Sequence, residues 1–115
     1  MVRPYMARTM LGRLFKKSAP SRPPDSARVP DGARVYAIGD IHGRADLLAR
    51  LLTQIEQDSA DATEKPILVL LGDYVDRGAD SRGVIDALLA LSSDKFELVF
   101  LRGNHEAALL NFLQS

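Results

Sequence analysis

Cysteine is absent from the 115 residues, and the only histidines are His42 and His105. The missing thiols exclude disulfides, thiolate catalysis and cysteine-ligated zinc, and they suit a reducing compartment, from which a cytoplasmic setting is expected. A metal ion, if held, must be held by His, Asp, Glu or Asn. No apolar run exceeds five residues, far below the roughly 18 a membrane-spanning helix needs. No long apolar stretch follows the first basic residues either, so a cleaved secretory leader is not expected. Net charge is also lacking, with 15 Lys and Arg against 15 Asp and Glu.

That zero conceals a division. Residues 1–30 carry seven basic residues, one acid (Asp25) and five of the six prolines, whereas residues 31–115 carry eight basic and fourteen acidic residues. Prolines at 20, 23, 24 and 30 remove backbone donors and fix φ, which disfavours a packed element, so residues 18–31 read as a linker. Ahead of it, "MARTMLGRLFKK" at 6–17 has the spacing of a short basic amphipathic helix able to lie on an anionic membrane surface. A solvated tail is the simpler expectation, because so short a helix is costly to nucleate in water. The chain thus divides into a basic tail and linker, 1–30, and an acidic body, 31–115. Nothing in it predicts a specific nucleic-acid partner or an oligomeric state.

From Arg34 the pattern is regular. "RVYAI", "ILVLL" and "FELVFL" read as short strands, the second opened by Pro66 at the position where a missing donor does least harm. Between them, Leu47, Leu48, Leu51, Leu52 and Ile55, then Val84, Ile85, Leu88 and Leu89, recur at helical spacing, and "HEAALLNFL" starts a third helix. The order β-α-β-α-β-α, with strands apolar on both faces, predicts an α/β fold with a parallel sheet. In such a sheet the three strand-to-helix loops gather at the carboxyl edge, where open α/β sheets bind ligands.

Those loops are "GDIHG" (39–43), "GDYVDRG" (72–78) and "GNHE" (103–106). Each opens on a glycine, expected to let the chain leave the strand in a conformation that side chains resist. Taken singly, each has a structural explanation: Asp40 or Asn104 as a helix N-cap, Arg77 as a surface partner of Asp76 or Asp80. Taken jointly, they bring Asp40, His42, Asp73 and Asn104 to one edge, a ligand set of hard oxygens and imidazole that suits Mn²⁺, Fe or Zn²⁺. Asp73, on the middle loop, is the natural bridge between two ions. Two ions about 3.5–4 Å apart can share a hydroxide and neutralise a phosphate, the clamp that in-line phosphoryl hydrolysis needs. Arg77 would be the fork-shaped donor for phosphate oxygens. His105 would protonate the departing alkoxide, with Asp76 orienting its ring.

In this order, with 33 residues from Asp40 to Asp73 and 31 from Asp73 to Asn104, the three motifs resemble the signature of the phosphoprotein phosphatase branch of the calcineurin-like metallophosphoesterases, in its bacterial form. The resemblance covers residues 34 to about 113. It implies the first half of the family's sandwich and two divalent metal ions, manganese foremost and iron or zinc otherwise. Asp40, His42 and Asp73 would ligate the first ion, Asp73 and Asn104 the second; Arg77 would bind phosphate, and Asp76 with His105 would act at the leaving group. The substrate class implied is a phosphorylated protein, as phosphoserine or phosphothreonine, or a small phosphoester.

Two departures qualify the resemblance. Members of the family supply two further histidines to the second ion and a second phosphate-binding arginine, all beyond the third motif. With His42 and His105 the only histidines, the second ion keeps two ligands and is expected to be held weakly. The body is therefore read as the amino-terminal part of a longer phosphatase, with little activity of its own. Two other functions fit the same letters: hydrolysis of dinucleoside polyphosphates, whose enzymes tend to carry Asn where Asp76 stands, and a catalytically silent product.

Overall fold

The computed structural model describes residues 27–115, and the expected helix over 6–17 and most of the 18–31 linker lie outside them. Three strands, β1 (Val35–Ile38), β2 (Ile67–Leu70) and β3 (Glu97–Phe100), alternate with three helices, α1 (Ala45–Asp58), α2 (Ser81–Leu89) and α3 (Asn104–Gln114). The sheet is parallel throughout, in the order β1-β2-β3. The α/β alternation read from the sequence is the one that folds, with β2 in the centre.

Register explains the core. Tyr36 stands opposite Leu68 and Ile38 opposite Leu70, so the period-two spacing points these four side chains to one face. All four are buried there. Leu48 and Ile55 of α1, and Val84 and Leu88 of α2, complete the cluster with Ile41, Tyr74, Val75 and Phe96, and α1 and α2 pack against each other. On the opposite face Ile67, Val69 and Val99 are half-buried and Ala37 is exposed. Strands apolar on both faces therefore have a single face sealed among the described residues.

Helix ends differ in kind. The carboxylate of Asp80 accepts the N–H of Gly83 at 2.8 Å and caps α2. α3 begins at Asn104 itself, with Gly103 in the capping position, so Asn104 is not the N-cap its letter allowed and its side chain is released for other use. The carboxylate of Glu106 accepts the Gly103 N–H at 3.0 Å, half of a capping box.

Candidate metal centre

The first two loops interlock through their backbones. The carbonyl of Asp73 accepts the N–H groups of Ile41 at 3.0 Å and His42 at 2.9 Å, and that of Tyr74 accepts the N–H of Gly43 at 2.9 Å. Gly43 and Gly78, the closing letters of "GDIHG" and "GDYVDRG", touch: a Cβ on Gly43 would stand 2.8 Å from the Gly78 carbonyl carbon. The opening glycines are less uniform than expected. Gly72 does turn at φ 109, but Gly39 keeps a conformation open to any residue and has free space around it. Gly103 is required for room: a Cβ there would meet the Asp73 carboxylate and amide.

The second and third loops are tied by two carboxylates. Asp73 Oδ1 accepts the N–H of His105 at 3.1 Å. In return the carboxylate of Glu106 accepts the N–H groups of Asp73, Tyr74 (2.8 Å) and Val75 (3.3 Å). Beneath them the Tyr74 hydroxyl donates to the carbonyls of Leu101 and Leu70, at 2.6 and 3.1 Å, joining the ends of β3 and β2. Burial, then the Glu106 charge, push that phenol above its usual range.

The side chains expected to act are brought to this edge. His42 Nδ1 donates to the Val75 carbonyl at 3.0 Å, which fixes the tautomer and leaves Nε2 with a free lone pair. That nitrogen lies 3.7 Å from Asp40 Oδ2, too long for a hydrogen bond. His105 Nδ1 sits 2.9 Å from Asp76 Oδ2, the pairing the sequence led us to expect. The two imidazoles meet edge to face at 4.7 Å, and ligand atoms of His42, Asp73 and His105 all lie within 4.8 Å of one another. Thus His105, expected to move a proton, stands in the tightest cluster beside two expected ligands, while Asp40 is more exposed at its margin. Arg77 is exposed and, among the described residues, joins neither Asp76 nor Asp80 in an ion pair.

The side-chain amide of Asn104 lies against the Asp73 carboxylate; with its nitrogen turned toward Asp73 it donates to both carboxylate oxygens, at 3.1 and 3.0 Å, and rotated about its last bond it offers an oxygen instead. Imidazole and carboxylate ligand atoms of His42, Asp73 and His105 within 4.8 Å of one another fit a divalent ion.

Sequence reasoning missed Glu106 and Tyr74. A glutamate three residues past the helix cap is legible as half of a capping box, but nothing in its position shows that it reaches another loop.

Comparison with known proteins shows the family. The calcineurin-like phosphoesterase family model matches residues 33–114, and the chain belongs to that family. It is 40% identical over 83 residues to the serine/threonine-protein phosphatase BSL2 of Arabidopsis thaliana, covering 70% of this chain and 8% of the relative. It is 36% identical over 77 residues to serine/threonine-protein phosphatase 1 of Salmonella typhimurium (67% and 32%). It is also 40% identical over 75 residues to the symmetrical bis(5'-nucleosyl)-tetraphosphatase of Cellvibrio japonicus (65% and 25%). The chain spans a third or less of the length of these relatives. Among the described residues no helix is long and apolar enough to cross a membrane.

Proposed function

We propose that this chain carries the metal-binding and leaving-group half of a phosphomonoesterase acting on phosphoserine or phosphothreonine in proteins, in a cytoplasmic setting. The observation that carries the reading is the convergence of Asp40, His42, Asp73 and Asn104 at one sheet edge, with ligand atoms of His42 and Asp73 within 4.8 Å of each other and the Asn104 amide against the Asp73 carboxylate. Divalent ions, manganese foremost, would supply Lewis acidity toward a phosphoryl oxygen and water when bound.

The chain's own residues do the rest. Asp40, His42 and Asp73 would hold one ion, and Asp73 with Asn104 the other. Arg77, extended into solvent, takes two phosphate oxygens with its fork. His105, its Nδ1 held by Asp76, gives a proton from Nε2 to the departing serine or threonine oxygen. Asp76 supports a phosphoprotein over a dinucleoside polyphosphate by resemblance, because enzymes that hydrolyse the latter tend to carry Asn at its position. The second reading retains the likeness to the Cellvibrio tetraphosphatase.

Calorimetric titration with Mn²⁺ should show binding to the intact chain and none to Asp73→Asn. Absence of binding by the unmutated chain would sink the reading. Single-turnover assays at high protein concentration, with a phosphoserine peptide and with diadenosine tetraphosphate, separate the two substrate classes. Steady-state turnover of an aryl phosphate should stay close to background, since Asp73 and Asn104 alone serve the second ion. Robust turnover that Asp73→Asn abolishes would overturn that expectation of weakness while upholding the site.

A further inference from the structure

Asp73 holds φ 56, a left-handed conformation unusual for a residue with a side chain. A left-handed residue at the start of such a loop turns successive N–H groups to the same side and makes a concave nest, a form that elsewhere captures anions. Here the N–H groups of Asp73, Tyr74 and Val75 converge, and the anion is the carboxylate of Glu106. The nest is filled from within the chain. Substrate phosphate cannot use it, and its donors instead fix the backbone of Asp73.

The same carboxylate also takes the Gly103 N–H at the head of α3. Gly103 packs against Asp73 so closely that no Cβ fits, and Asp73 Oδ1 receives the His105 N–H at 3.1 Å. Each loop therefore places a carboxylate on the other's backbone. The carboxylate from loop two belongs to the candidate metal cluster; the one from loop three is taken up by backbone N–H groups of both loops, as a brace between them.

We infer that Glu106 is a positioning residue for the metal centre, holding Asp73 in its left-handed conformation and so setting the affinity of the ions Asp73 ligates. This rests on the reading of the site as a metal centre. Glutamine at 106 has one acceptor oxygen and turns an NH₂ group toward backbone donors, so the brace is broken with little change of shape.

In Mn²⁺ titrations made well below the unfolding temperature, Glu106→Gln should bind about tenfold or more weakly, with an altered paramagnetic resonance spectrum of the bound ion. Asp80→Ala loses the cap of α2, lowers stability through the same kind of lost N–H acceptor, and should bind Mn²⁺ like the parent. Equal affinity of Glu106→Gln and parent within twofold would overturn the inference alone. Failure of the parent to bind Mn²⁺ would instead overturn the metal-centre reading and this inference with it. A measurement on the unmutated chain guards against a variant that fails to fold. In metal-free protein the amides of Tyr74 and Val75 should exchange with solvent far more slowly than in an unstructured peptide, and exchange at the unstructured rate would overturn the brace.

Discussion

His42, Asp73, Asp76 and Arg77 all hold positive φ, between 43° and 72°. Side chains in this region cost on the order of 1 kcal/mol or more each, and such residues gather where function requires a geometry the chain resists. Interlocking backbone bonds from Ile41, His42 and Gly43, together with Glu106, hold them there. Arg77 offers a direct measure of the strain. Glycine usually costs about 1 kcal/mol in a helix, and Arg82→Gly in α2 should lose about that in urea unfolding. Arg77→Gly should stay within about 0.5 kcal/mol of the parent, because relief of the left-handed conformation offsets the added freedom of the unfolded chain. Inorganic phosphate should bind that variant more weakly. A loss at Arg77 as large as at Arg82 would show that the loop is unstrained.

At the scale of elements, the start of β1 is bound to the end of α1 by a polar cluster on the sheet edge opposite the metal centre. Tyr36 donates its hydroxyl to Asp58 at 2.8 Å, while Arg34 donates to the Asp58 carbonyl and to Asp61, each at 2.9 Å. Burial and the bond to Asp58 raise the Tyr36 phenol above the ordinary value of 10.0, with Arg34 opposing. The neutral phenol is thus the form the fold prefers. A group whose folded value is raised contributes stability that is whole below its unfolded value and is lost as pH climbs through the folded one. The urea midpoint should therefore hold up to about pH 10 and decline above it. In Tyr36→Phe this part of the decline should disappear; a variant that tracks the parent at every pH would refute the linkage.

Over the whole molecule, burial is lopsided. The core lies between one face of the sheet and α1 with α2, whereas α3 has no buried residue. Phe112 and Leu113 are 75% and 67% exposed, and Phe100 and Leu101 at the end of β3 are about half exposed. Exposed apolar surface of this kind is uncommon on an isolated soluble domain. An environment-sensitive apolar dye should brighten on the folded chain, as judged by its native circular dichroism. Replacing Phe112 and Leu113 by serine should reduce that signal. An unchanged signal in the double variant would place the dye elsewhere.

Periodicity and three glycine-led motifs were enough to read the element order, the parallel sheet and the identity of the loops that meet at its edge. Those signals are local: helix and strand spacing follow from backbone geometry, and parallel strands put their loops on the same side. The pairing of His105 with Asp76 was legible because the chemistry demands an acid beside an imidazole. What only the tertiary structure decided was non-local. Glu106 looks like a helix-cap residue in the sequence and becomes a brace because Gly72 and Gly103 let two loops touch. Asn104 had the letter of a cap and was freed by Gly103, its side-chain amide coming to lie against the Asp73 carboxylate. Which face of the strands is sealed was likewise unreadable, since apolar residues occupy both faces and only register and helix packing choose between them.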